Sequence, residues 1–104
     1  MHTYFKDKVI IITGASSGIG LATARLFAGM GAKLSLAARS IDRLESLASE
    51  LTGDRSRILC IRTDVSVEED CRRLIEETVR KFGKIDILIN NAGISMRAPF
   101  MDVN

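Results

Sequence analysis

The segment Thr13-Gly14-Ala15-Ser16-Ser17-Gly18-Ile19-Gly20 has the residue types and spacing to cradle a diphosphate. It follows a short β-branched run, KVIIIT at residues 8–13, and opens an apolar-periodic stretch. It therefore lies between an expected strand and an expected helix. Each glycine has a physical task in such a turn. Gly14 lets the chain leave the strand sharply. Gly18 removes a side chain where backbone must approach the phosphates. Gly20 lets the helix pack close to the sheet. Ala15, Ser16 and Ser17 are small enough to keep the path open, and the two hydroxyls can donate hydrogen bonds. From Gly18 and Ile19 onward the helix N-terminus offers N–H groups and the positive end of its dipole to an anion.

A second group of residues bears on which dinucleotide such a turn would hold. An Asp or Glu at the end of the second strand would accept hydrogen bonds from the adenosine ribose and repel a 2′-phosphate. That position is Ala38, followed by Arg39 and Ser40. The planar fork of Arg39 can pair with a 2′-phosphate, and Ser40 can add a hydroxyl donor. The residues therefore favour NADP(H) over NAD(H).

The elements that must position these groups alternate strand and helix. After the first strand comes a helix over 18–30, stopped at Gly31. A strand follows at Lys33–Ala38, and then a helix capped by Ser40, with Ile41, Leu44, Leu47, Ala48 and Leu51 at helical spacing. Asp42, Arg43 and Glu45 fall on the expected solvated face of that helix. Residues 52–57 read as a loop, and Ile58–Arg62 as the third strand. Ser66 and Glu69 form an S-x-x-E capping box for a third helix, in which Cys71, Leu74, Ile75, Thr78, Val79 and Phe82 make an apolar stripe ending at Gly83. Residues 86–90 read as a fourth strand. This alternation predicts an α/β fold: a Rossmann-type parallel sheet of order 3-2-1-4, partial, with helices on both faces. In that order the first and fourth strands are neighbours, so the Gly turn and Asn90-Asn91-Ala92-Gly93 open on one crevice. The apolar fourth strand would leave an edge that invites association.

The spacing G-x-x-x-G-x-G, together with Asn90-Asn91-Ala92-Gly93 after the fourth strand, resembles the TGxxxGxG and NNAG motifs of the classical short-chain dehydrogenases/reductases. The resemblance covers essentially the whole chain. It implies an NAD(P)-dependent oxidoreductase that interconverts an alcohol and a carbonyl by hydride transfer. It also implies that Asp64 and Val65 serve the adenine, that Asn90, Ala92 and Gly93 line the crevice near the adenosine ribose, and that the complete protein is a homo-oligomer. The family often has a basic residue just before the second motif glycine, where this sequence has Ser17.

No catalytic residue is assigned. The family's Tyr-x-x-x-Lys pair has only an accidental counterpart, Tyr4 and Lys8, which precedes the cofactor turn. Asn104 lies 14 residues from Asn90, too close to match the family's catalytic Asn. Residues 1–104 are therefore expected to form one NADP(H)-binding domain that stops before the catalytic half. A stand-alone nucleotide-binding module and an inactive truncated product are the alternatives, and a following Ser and Tyr-x-x-x-Lys would exclude both.

Composition excludes other classes. The chain carries 15 basic and 13 acidic residues without a basic run, which argues against nucleic acid. No stretch is long and apolar enough to span a membrane. The polar start does not read as a signal peptide, and Cys60 and Cys71 read as buried, reduced core residues, which together point to the cytoplasm. Their spacing suits no metal, and His2 has no evident partner.

Overall fold

A computed structural model describes residues 4–91. Four strands, β1 (Val9–Thr13), β2 (Lys33–Ala38), β3 (Ile58–Arg62) and β4 (Ile87–Asn90), form one sheet in the order β3-β2-β1-β4. All three pairings are parallel, with Ile11 opposite both Ser35 and Leu88, and Leu36 opposite Cys60. The helices α1 (Gly18–Gly29), α2 (Ile41–Leu51) and α3 (Glu68–Phe82) connect the strands in turn. The sheet order and the alternation are those expected from the sequence.

The alternation of side chains along β1 explains the two layers. Ile10 and Ile12 face α1 and α2, where they join Ala24, Leu34, Leu36, Leu44, Leu47 and Ala48. Ile11 faces the other way, to Ile61, Cys71 and Leu74, under α3. Every residue of β1 is buried, as a strand covered on both faces requires. Each such Val or Ile contributes about 1.5–3 kcal/mol of burial. The α3 layer also contains a polar link, Ser35 Oγ to Thr78 Oγ1 at 2.7 Å, and the Thr78 hydroxyl reaches the Leu74 carbonyl. Among the described strands β4 is an edge, and its Ile87, Leu88 and Ile89 are only half-buried.

Several local expectations change. The capping box at Ser66 does not form. The α3 N-cap is Val67, without a side-chain cap. Ser66 instead donates both its N–H, at 3.0 Å, and its hydroxyl, at 2.6 Å, to Asp64 Oδ1. Those two bonds close a turn back onto a charged acceptor, and α3 starts one residue later than the box requires, so Ser66 stands ahead of the cap. Glu68, Glu69 and Asp70 at the start of α3, and Arg80 and Lys81 at its end, complement the dipole instead. The α3 stripe is narrower than expected, because Val79 is exposed. The loop 52–57 ends in a 3-10 turn at Arg55–Arg57, started by Asp54, whose carboxylate accepts from Ser56 N–H. The first and fourth strands each begin one residue late, and α1 ends at Gly29. Cys60 is half-buried rather than buried, since β3 is the other edge of the sheet. Among the described residues no helix is long and apolar enough to cross a membrane.

Candidate functional site

The chain leaves the C-terminal ends of the four parallel strands on one edge of the sheet, and a cleft of about 520 Å³ opens there. In α/β sheets of this kind that edge, between the neighbouring first and fourth strands, is where ligands sit. Gly14, Ser16, Ser17, Gly18, Ile19 and Gly20 form one wall. Ala38, Arg39, Ser40 and Arg43 form the second, Thr63 and Val65 the third, and Asn91 closes the side next to β4.

The Gly turn is held by backbone geometry. Gly14 and Gly18 have φ of 62° and 55°, where a side chain is strained. A Cβ on Gly18 would meet nothing within 4 Å, so the space over that backbone is open. Gly20 does a different job from the one expected. A Cβ there would overlap the Gly14 carbonyl oxygen and lie 2.7 Å from the Gly14 carbonyl carbon. Its closest approach is thus to the turn itself rather than to the sheet. The turn is also tied to β2, through Ala15 N–H donating to the Ala37 carbonyl at 3.2 Å.

The α1 N-terminus is left open. Its N-cap, Ser17, makes no side-chain cap bond, and the first turn carries no acid. The first N–H groups of α1 therefore have no intrahelical acceptor. The exposed Ile19 stands at the rim.

On the second wall, Ser40 is the expected N-cap of α2, its Oγ accepting from Arg43 N–H at 3.3 Å. Its own hydroxyl hydrogen remains a donor. Ala38 is nearly buried at the strand end. Arg39 is exposed and makes no ion pair among the described residues. Thr63 N–H, donating to the Ala38 carbonyl at 2.8 Å, joins this wall to the third.

Not every expected residue lines the cleft. Asp64 lies between Thr63 and Val65 but off the wall. Hydrogen bonds from Ser66, then the positive charges of Arg39 and Arg62, hold its carboxyl below the usual carboxylate range. Both Ser66 bonds fall on Oδ1. Asn90 also lies off the wall, and its Oδ1 accepts from the Thr13 hydroxyl at 2.6 Å. Ala92 and Gly93 lie outside the described residues. Tyr4 and Lys8 pack on each other at the opposite end of β1, with Lys8 Nζ 5.0 Å from the ring centre.

Sequence reasoning missed three features. Arg43, read as solvated, lines the cleft. Its signal was its place three residues after a capping Ser, in the first turn of a helix whose N-terminus faces the crevice. Thr13, a polar residue closing an apolar strand, is completely buried and bonds both Asn90 and Asn91 N–H, the latter at 3.0 Å. Asn91 itself lines the cleft, and its buried Nδ2 has no hydrogen-bond partner among the described residues. A buried amide donor without a partner is costly unless a ligand or water supplies one.

Comparison with known proteins agrees with the fold. A family model for short chain dehydrogenase matches residues 8–104. An uncharacterized oxidoreductase of Listeria monocytogenes is 47% identical over 94 residues, which are 90% of this chain and 38% of that protein. L-sorbose reductase from Gluconobacter frateurii, solved with NADPH and L-sorbose, superposes with a TM-score of 0.81 at 39% identity, over 100% of this chain and 40% of its own. 3-Ketoacyl-(acyl-carrier-protein) reductase from Brucella melitensis, solved with NADH, gives 0.74 at 38% identity, over 81% of this chain and 34% of its own. The chain belongs to the short chain dehydrogenase family and has its Rossmann-type fold. It spans about two-fifths or less of the length of these relatives.

Proposed function

We propose that this chain is the dinucleotide-holding domain of an NADP(H)-dependent oxidoreductase that interconverts an alcohol and a carbonyl. The observation that carries the reading is the pairing of two features in one cleft. An uncapped, acid-free helix N-terminus lies on one wall, and Ala38 followed by the unpaired Arg39 on the next. The first suits a diphosphate, and the second suits a 2′-phosphate and lacks the acid that would repel it. The open space over Gly18 and the partnerless Nδ2 of Asn91 fit a ligand that lies along the strand ends.

In this reading Gly14, Ser16, Ser17, Gly18, Ile19 and Gly20 hold the diphosphate. Arg39 and Ser40 hold the 2′-phosphate. Val65 lines the adenine, and Asp64 accepts from the adenine amino group through Oδ2, the oxygen that Ser66 leaves unused. Asn90, Ala92 and Gly93 shape the crevice near the adenosine ribose, Asn90 by fixing the end of β4. The nicotinamide, when bound, supplies or takes up the hydride. Residues 1–104 act as one domain, and the complete protein is a cytoplasmic homo-oligomer that takes its small substrate beyond the part described.

The relatives include proteins solved with NADPH and with NADH, so the preference must be measured. Calorimetric titration with each cofactor is the test. NADPH is expected to bind more tightly, and Arg39→Ala to remove the difference. Equal binding of both cofactors by the folded protein would overturn the NADP(H) preference. Binding of neither would overturn the reading of the cleft.

A further inference from the structure

The acids that open α3 are not alike. Glu68 and Glu69 are exposed and pair with Arg72 on the helix surface. The Asp70 side chain is only 17% exposed and turns back towards the end of β3. Its Oδ2 accepts the main-chain N–H of Asp64 at 2.9 Å. Its Oδ1 lies 3.5 Å from the Arg73 guanidinium, and the same nitrogen of Arg73 donates to the Arg62 carbonyl at 3.0 Å.

The turn between β3 and α3 is therefore held from the helix. Arg73 takes the carbonyl of Arg62, Asp70 takes the N–H of Asp64, and the Cys71 thiol reaches the Val65 carbonyl at 3.4 Å. Thr63 N–H, between them, is tied to β2 through the Ala38 carbonyl. Each anchor removes main-chain freedom that a connecting turn otherwise keeps. The Asp70 bond is the one made by a charged acceptor to the peptide of residue 64 itself, and such bonds are the stronger kind. Thr63 and Val65 line the cleft, and Asp64 stands between them with Oδ1 filled by Ser66. Where Asp64 Oδ2 points depends on the main chain that Asp70 holds.

We propose that Asp70 is a positioning residue. By accepting the Asp64 N–H it sets the Asp64–Val65 turn in the conformation that recognises the adenine amino group. Asp70 does not line the cleft, so it acts through Asp64 and not by touching the cofactor. This assignment rests on the adenine reading of Asp64.

The test compares NADPH with its hypoxanthine analogue, in which a carbonyl replaces the adenine amino group. A variant that only loosens the fold weakens both ligands alike, so the ratio of the two affinities reads positioning alone. The parent protein is expected to bind NADPH about tenfold more tightly than the analogue, the worth of one charged hydrogen bond. Asp70→Ala is expected to cut that ratio to about twofold or less. Asp70→Asn keeps an amide oxygen for the Asp64 N–H and is expected to retain the ratio. Circular dichroism checks the fold of each variant. Should Asp70→Ala not fold, Asp70→Glu takes its place, because it keeps the charge at the start of α3 while its longer arm misplaces the acceptor. An unchanged ratio in the variant without a placed acceptor overturns the role of Asp70 and leaves the adenine reading of Asp64 standing. A ratio lost as fully in Asp70→Asn assigns the effect to charge and overturns the positioning role as well. If the parent protein does not distinguish NADPH from the analogue, the adenine reading of Asp64 falls and this proposal falls with it.

Discussion

The hydroxyl of Thr13 donates to Asn90 Oδ1 at 2.6 Å across the β1–β4 pair, joining residues 77 positions apart. The Thr13 hydroxyl oxygen in turn accepts the N–H of Asn91 at 3.0 Å. Thr13 and Asn90 are also register partners in the sheet. One buried side chain therefore fixes the last residue of β4, the first residue beyond it and the point at which the Gly turn departs. The Gly turn and Asn91 face one cleft because of this link as well as because of strand order.

Thr13→Val keeps the shape and removes both bonds. It removes the acceptor of the half-buried Asn91 N–H and the donor to Asn90 Oδ1. The expected cost is about 1–3 kcal/mol of stability, read by urea denaturation, with weaker cofactor binding besides. Thr13→Ser keeps the hydroxyl and is expected to retain the affinity. Equal loss of affinity in both variants would show that the methyl group, rather than the bonds, sets the cleft.

Gly20 and Gly18 separate packing from strain. Gly20→Ala drives a methyl into the Gly14 carbonyl, which cannot yield without moving the turn. It should lower stability by about 1–3 kcal/mol and abolish cofactor binding. Gly18→Ala has free space but a φ of 55°, costing about 1–2 kcal/mol. Its methyl also projects where the ligand backbone contact is expected. Paired thermal melts and titrations check both. Intact cofactor binding by Gly20→Ala would mean that the turn shifts without affecting the site.

Burial pushes the Cys60 thiol up to about 11, with the Glu45 charge adding to the effect. Its Sγ lies 3.4 Å from the Leu44 carbonyl as a donor. Since only the thiolate is an effective nucleophile, alkylation of Cys60 in the native protein at pH 8 is expected to be slow. In urea it should become rapid. Mass spectrometry of timed samples decides, and fast native labelling would show that β3 opens at the edge.

What the sequence made legible follows from the range of the forces. The strand order and layers were readable because apolar period and turn residues act locally and agree with one another at every element. The Gly turn was readable because Gly14 and Gly18 announce backbone conformations that few other residues adopt. Ser66 misled because its hydroxyl has two local uses, accepting from the helix N–H groups or donating to the Asp64 carboxylate, and pattern alone does not rank them. Val79 misled because the width of a buried stripe depends on how α3 sits on the sheet. Arg43 and Thr13 were missed for a further reason. Thr13 acts only once β1 pairs with β4, and Arg43 only once the start of α2 lies beside the Gly turn.

Asp86 offers a test of acid stability. Its Oδ2 accepts from the N–H of Val9, at the buried start of β1, at 2.8 Å, and Lys84 lies 3.0 Å from the same oxygen. The Val9 bond first, then Lys84, holds the carboxyl below its ordinary value. Asp64, bonded by Ser66, and Asp7, bonded by Arg57, are held down in the same sense. A carboxyl lowered on folding contributes stability that is full above its unfolded value, about 3.9. That stability is lost as pH falls through the lower folded value. Stability is thus expected to decline below about pH 4 as these groups protonate. Asp86→Asn keeps an acceptor for Val9 but removes the charge. It should be less stable than the parent protein at neutral pH, and the gap should close on acidification. Urea midpoints measured between pH 7 and pH 3 read this directly. A gap that stays constant over that range would show that the ionised form of Asp86 contributes nothing beyond its shape.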